Sequence, residues 1–344
     1  MYLYLFSLWI ATLFSPVHTN TIVVATPVPP SRCNAVSSEN SDDPFLVQPK
    51  NILLATEDGG NSWKDFTGNF PGTSTPSCFW ITQKDWLIGA AEGLYNGNPG
   101  IPSTRWQQDA IIPRDVTFFA NGKAGTYAVS HWTGIYQRQT ESGLWSKVSD
   151  ILKNKPFFTF VESSGGDLLG GGETGIYKSD DHGKSWYQVY ENVGVNMINE
   201  YDGVLYACSW RGLLRSTDGG NHWDIALPGN TTVFRTHHFN SGIVAIVEGQ
   251  QFQGVWSPNE VMISNDKGHN WKPMFASLPK ELKNVYDLVQ VGNTYFAATN
   301  TGIYKSNNNG VTWEKTVTIP QDRGVNFKLV VEGETLFVLQ APGC

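Results

Sequence analysis

The stretch "GIYKSDDHGKSW", residues 175–186, returns almost unchanged as "GIYKSNNNGVTW" at 302–313. Its second half recurs as "TEDGGNSW" (56–63), "STDGGNHW" (216–223) and "SNDKGHNW" (264–271). All five copies place Ser or Thr first, Asp or Asn five residues before a Trp, and Gly three residues before it. Two looser copies, "GLYNGNPGIPSTRW" (93–106) and "GIYQRQTESGLW" (134–145), keep the Gly-apolar-Tyr opening and the closing Trp. The Trp positions 63, 106, 145, 186, 223, 271 and 313 are separated by 43, 39, 41, 37, 48 and 42 residues, which gives seven units of about forty. A repeat of this length has to be recognised first, because it decides the whole architecture.

Each unit reads as four short strands separated by Gly and polar turns. In the Trp186 unit they are "FFTFVESS", "DLLGGGE", "GIYKS" and "WYQV". Four strands repeated radially predict an all-β protein, a seven-bladed β-propeller in which no blade is stable alone. The two ends agree with that count. The chain enters the repeat at "NILLATEDGGNSWKDF" with only a third and a fourth strand, and leaves through "FKLVVEGETLFVLQ" with only a first and a second. Strands at 326–331 and 334–340 are therefore expected to pair with strands near 51–55 and 62–67, so that the N- and C-terminal strands share one blade and close the ring.

The domain layout follows: a signal peptide over 1–25, a Pro/Ser-rich linker or strap over 26–50, and the propeller over 51–344. The leader rests on "MYLYLFSLWIATLF", too short an apolar run to span a bilayer. An exported protein permits disulfides. Cys33, Cys78 and Cys344 are the accessible candidates, with their pairing open, and Cys208 reads as a small buried hydrophobe.

The 344 residues hold 24 Lys+Arg against 31 Asp+Glu, a formal charge of -7, and the eight arginines are scattered along the chain. This speaks against a nucleic-acid partner, which needs clustered cations. No Cys-x-x-Cys or His-Glu-x-x-His spacing occurs, and the side chains of His237 and His238 should leave a strand on opposite faces. No metal or cofactor is expected, and the protein is expected to be a monomer without a membrane span after leader cleavage.

The repeated motif resembles the Asp-box, or bacterial neuraminidase repeat, over about residues 50–340. The Asp side chain can accept backbone N–H bonds in a tight turn, Gly allows positive φ, and Trp buries a large ring. Asp58, Asp181, Asp218 and Asp266 are therefore read as structural, as is Asn308 in the last copy. The resemblance implies that the boxes join strands three and four, on the face opposite the one that usually binds ligands.

The remaining loops supply the candidates. Turns between strands two and three carry Glu92, His131 with Trp132, Glu173, Trp210 with Arg211, and an insert "EGQQFQGVWSPNE" (248–260) with Trp256. Connections between blades are read to carry Asp109, Arg114, Asp115, Glu191, Arg235, His237, His238, Asp322 and Arg323. Trp132, Trp210 and Trp256 are candidate stacking platforms, with His131, Arg114, Arg211 and Arg235 as candidate ligand contacts. Glu92, Glu173 and Asp115 are candidate catalytic acids, since two carboxylates about 5–10 Å apart across a sugar can hydrolyse it.

Similarity to three groups of propellers implies different functions. Sialidases grip a carboxylate with converging arginines and carry an early Phe-Arg-Ile-Pro motif; the nearest string here, "VFRTHHF" (233–239), lies late in the chain. Xyloglucan-cleaving enzymes share the seven Asp-box blades but join two propellers. Photosystem II assembly factors share blade number and length and act as binding platforms. The leading expectation is a secreted module recognising a glycan or protein on its loop face; a glycoside hydrolase is the alternative.

Overall fold

A computed structural model of the chain describes residues 52–342 apart from 100–103, 124, 132, 140–142, 150–156, 230, 254, 276–278, 280–281, 283 and 319–324. Seven four-stranded antiparallel sheets are present. In chain order, blade 1 is Pro76–Ile81, Trp86–Ala90, Gly93–Gly97 and Gln107–Gln108. Blade 2 begins at Val116–Gly122, blade 3 at Phe157–Glu162, blade 4 at Val195–Tyr201, blade 5 at Val233–Phe239 and blade 6 at Val285–Val291. The seventh, closing blade has the order Lys64–Asp65, Leu53–Thr56, Thr335–Pro342, Val325–Glu332. Leu53 pairs with Leu339 and Thr56 with Leu336, so the two ends of the described chain share one sheet as their sequence predicts. The propeller is all-β, and its count of seven stands.

The first strands contact one another in a closed cycle, from Pro76–Ile81 round to Val325–Glu332 and back, which puts them at the axis. A strand at an axis exposes one edge of amides and carbonyls that no fifth strand covers, and buried groups of this kind need partners. The neighbouring blade supplies them. Thr159 Oγ1 accepts from the Ile198 amide at 3.0 Å, and Asp287 Oδ2 from the Leu329 amide at 3.0 Å. Ser77 Oγ donates to Val116 O at 2.5 Å, and Asn199 Nδ2 to Thr236 O at 3.1 Å. Blades thus lock together by side chain to edge bonds as well as by apolar packing. Glycine in "DLLGGGE" serves the packing: a Cβ on Gly171 would stand 2.6 Å from Val195 Cγ1 of the next blade.

The five boxes share one turn, although in the first the Trp63 indole donates to Thr316 Oγ1 rather than to its own glycine. Asp181 Oδ1 accepts from Ser179 Oγ at 2.8 Å and from the Ser185 amide at 2.9 Å, while Ser185 Oγ donates to Oδ2 at 2.6 Å. The Gly183 amide, at φ 86°, donates to Ser179 Oγ, and Trp186 Nε1 to Gly183 O. Asn308 keeps this geometry without a charge, its Oδ1 accepting from Ser306 Oγ and the Thr312 amide at 2.9 Å each. One further link crosses between blades. The buried Lys178 and Lys305 of the two "GIYKS" strands donate to Asn221 and Asn61, in the box of the next blade, at 2.7 and 2.6 Å.

The donors gathered on each box Asp, with Ser185 foremost on Asp181, hold its carboxyl below the usual 3.8, at about 2 for Asp181 and lower for Asp58 and Asp266. A folded-state pKa below the unfolded one stabilises the fold above about pH 4, and that contribution is lost as pH falls toward 2. Unfolding midpoints measured from pH 5 to pH 2 should therefore fall less steeply in a variant with Asp181→Asn and Asp266→Asn than in the wild type. Parallel profiles would show that these carboxylates do not stabilise the fold.

Candidate functional site

Antiparallel order puts the boxes and the first hairpins on one face, and the turns between strands two and three, with the blade connections, on the other. On this loop face the turns are short: Ala91–Glu92, Glu173–Thr174, Trp210–Arg211 and Asn300–Thr301 span two residues each. Blade 5 departs most, where the insert folds into a ribbon of Gln251–Phe252 against Val255–Trp256 with Phe252 exposed.

Each axial strand of blades 1 to 6 opens on this face with a register shift, leaving Ser77, Thr117, Phe158, Asn196, Phe234 and Tyr286 as extra residues. A bulge bends its strand and re-aims a side chain. Repeated around the axis, these bulges place three aromatic and three polar residues at the loop-face ends of the axial strands, with Phe158 and Asn196 buried. Trp210 lies beside Phe158, ring centroids 6.4 Å apart at 30°, and covers Gly194 so closely that a Cβ there would stand 2.4 Å from the indole. The buried Trp210 Nε1 has no acceptor among the described residues.

The sequence candidates divide into groups. Glu92, Arg114, Asp115 and His131 are drawn together where blade 1 meets blade 2. The Asp115 amide donates to Ala91 O at 2.8 Å, the His131 amide to Asp115 O at 3.0 Å, and Ser130 Oγ to Arg114 O at 2.8 Å. Asp115 takes φ 49°, a left-handed conformation that an Asp tolerates better than most residues. Glu92 is half-buried and accepts from the Thr75 amide at 3.3 Å. Glu173 and Arg211 stand exposed on blades 3 and 4, and no described contact joins them to the Glu92 group. Trp132, Asp322 and Arg323 lie outside the described residues, as do the Trp256 side chain, residues 1–50 and Cys344.

Two readings need correction. Arg235, His237 and His238 belong to the axial strand of blade 5, not to a connection. Arg235 is 8% exposed, with Nη1 3.7 Å from Asp287 Oδ2. His237 Nε2 reaches Asp287 Oδ1 at 2.8 Å while His238 stacks on Tyr201, so the two imidazoles leave opposite faces as expected. Cys78 is also not accessible: it is a free thiol, 1% exposed within the axial strand of blade 1, and burial pushes its pKa up to about 12. Cys208 is buried as expected.

Asp287 and Lys328 were missed from the sequence. Asp287 is fully buried, and although burial opposes its charge, Arg235, His237 and the Leu329 amide hold its carboxyl below the ordinary range. Lys328 Nζ donates to Ser77 O. A charged residue in the middle of "VYDLVQV" and of "FKLVVE" was the available signal. Tyr127 and Glu162 also pair at 2.9 Å, yet both are buried, and desolvation, with the Glu162 carboxylate adding to it, pushes the phenol pKa well above its usual value, the reverse of an activated nucleophile.

No family model matches the chain, and no curated protein matches it. Solved structures do match. YCF48 from Cyanidioschyzon merolae is 13% identical with a TM-score of 0.58, over 78% of this chain and 95% of that one. YCF48 bound to D1 peptide is 16% identical with a TM-score of 0.58, over 86% and 96%. The extracellular domain of a one-component system from B. thetaiotaomicron is 12% identical with a TM-score of 0.57, over 84% of this chain and 39% of that one. The GH74 xyloglucanase from Xanthomonas campestris matches at 12% identity and a TM-score of 0.52, with 70% of this chain and 45% of the enzyme covered. The chain thus spans well under half the length of those last two proteins. At such identities the likeness establishes the propeller fold alone. Among the described residues no helix is long and apolar enough to cross a membrane.

Proposed function

We propose that this propeller is a secreted recognition module that binds a glycan or a protein segment at the loop-face mouth. Trp210 carries the reading. Trp210 is half-buried on the loop face, so the part of the indole not packed on Gly194 or beside Phe158 is open for stacking. The polar bulge residues Ser77, Thr117 and Asn196 share the rim. Arg211, His131 and Arg114 lie on the same face, Arg235 sits deeper along the axis, and Trp132 and Trp256 belong to the proposal by their place in the sequence. YCF48, solved with a D1 peptide, covers nearly the same length.

A glycoside hydrolase is the second reading, favoured by the hydrogen-bonded junction that brings the Glu92 turn against Asp115. Glycan and peptide arrays, run beside chromogenic glycosides, test both. Binding without turnover is expected. Trp210→Ala should weaken it at least tenfold, and Trp210→Phe, which keeps a smaller stacking face, should fall between. Equal binding by all three proteins would remove Trp210 from the site. Turnover abolished by Glu92→Gln would replace the recognition reading with the hydrolase.

A further inference from the structure

Charge is unevenly spread over the loop face. The described turns and connections of blades 1 to 3 carry Glu92, Asp109, Arg114, Asp115, Glu173 and Glu191. Across blade 5 the insert runs from Gly249 to Asn259 without a charged side chain, and the Asn300–Thr301 turn of blade 6 has none. Aromatic side chains belong to this uncharged sector. Phe234 and Tyr286 are the bulge residues of the axial strands of blades 5 and 6, and both are half-buried. Phe252 stands 75% exposed on the ribbon, whose base is tied to the entry of the same axial strand by the Glu248 amide, 2.8 Å from Thr232 O. Trp210 precedes them in blade 4, so aromatic residues follow one another around the mouth over three consecutive blades.

The chemistry of this arc selects its ligand. A sugar laid on an aromatic ring carries hydroxyls along its edge, and each one buried without a partner costs about 1–3 kcal/mol. Of these four aromatic side chains only Tyr286 presents a polar atom, because Trp210 Nε1 is buried. The neighbouring amide of Asn196 is also buried and already donates to Val233 O at 3.3 Å. Large apolar side chains make no such demand, and their burial is favourable by roughly 25 cal/mol per Å².

We propose that the ligand of the loop-face mouth is an extended polypeptide segment whose large apolar side chains lie on Phe234, Phe252 and Tyr286, with its polar residues toward blades 1 to 3. This rests on the Trp210 reading and adds to it the class of ligand and three contacts. Packed sheets stand about 10 Å apart and an extended chain advances about 3.3 Å per residue, so apolar residues about three positions apart reach successive blades.

Fluorescence anisotropy of the full chain with labelled Gly/Ser peptides that carry a pair of Leu or Phe residues at varied spacing, beside an unsubstituted Gly/Ser peptide and a glycan array, tests this. The paired peptides should bind, best when the pair is about three positions apart. The unsubstituted peptide and the glycans should not. Phe252→Ser and Tyr286→Ser should each weaken peptide binding about fivefold or more. Urea midpoints identify a variant that fails to fold; if Tyr286→Ser does, the exposed Phe252 decides alone. Peptide binding lost in Trp210→Ala yet unchanged in the serine variants would overturn the arc and leave the Trp210 reading standing, as would glycan binding that needs Trp210. Binding of neither probe would overturn both.

Discussion

Asp287→Ala should lower the stability of the ring by about 3–5 kcal/mol, the usual cost of removing one partner from a buried ion pair. Four groups lose their acceptor together. Arg235 keeps its charge at 8% exposure, His237 Nε2 loses a contact of 2.8 Å, and the Leu329 and Leu288 amides, each 3.0 Å from a carboxylate oxygen, lose their bonds. The Leu329 amide lies on the axial edge of the closing blade, so the damage falls where the ring closes. A domain stable by about 5–15 kcal/mol can lose half its margin to this one change. Asp287→Asn, which keeps one oxygen of the right shape, should cost less than the alanine. The double change Arg235→Met with Asp287→Ala should recover part of the loss, because the guanidinium that faced the carboxylate is removed together with it. Urea midpoints of the four proteins check the order. A double variant as unstable as the sum of the two singles would show that the ion pair is not the source.

The same cluster shows where sequence reading stopped. The boxes were legible because all their partners lie within about eight residues: Ser179, Asp181, Gly183, Ser185 and Trp186 make one turn, and a local motif can be recognised from the chain alone. Ring closure was legible for a related reason, since half a blade at each end leaves a visible remainder. Arg235 and Asp287 are separated by 52 residues and belong together only through the register of two different blades. Polar residues inside "VFRTHHF" looked like a connection because a strand is expected to alternate between core and water. The axial strand has a third kind of neighbour, the open edge of the next blade, which asks for hydrogen bonds, and the bulge shifts the alternation by one residue. At the mouth, Trp210 was found as a tryptophan left unexplained by the repeat. Its supports, Phe158 and Gly194, could not be found, because nothing in "FFTF" or "NVGVN" says which residue turns toward a neighbouring blade.

The boxes also rank their own tryptophans. Trp223 is 8% exposed, with Nε1 3.1 Å from Gly220 O, and its ring sits among Leu169 and Ile176 of blade 3 and Leu205 and Leu214 of blade 4. Trp223→Ala should therefore cost about 3–5 kcal/mol, since it empties a cavity shared by two sheets and the Gly220 turn cannot collapse into it. That turn is already tight: a Cβ on Gly220 would stand 2.4 Å from Leu169 Cδ2. In a ring of blades that each depend on their neighbours, a weakened contact between blades 3 and 4 lowers the cooperativity of the whole. Trp223→Phe keeps most of the apolar area and gives up one hydrogen bond, at about 1 kcal/mol. Trp313, half-buried at the equivalent place in blade 6, should cost less than Trp223 when changed to Ala. Asp266→Asn should lower the midpoint at pH 7 by less than any of the tryptophan changes, because Asn308 shows that an amide can hold the same turn. Urea midpoints in the order wild type, Asp266→Asn, Trp223→Phe, Trp313→Ala, Trp223→Ala would establish that burial across the blade boundary sets the strength of each staple. If Trp313→Ala instead costs as much as Trp223→Ala, the stabilising element is the turn common to every box, and the neighbouring blade contributes little.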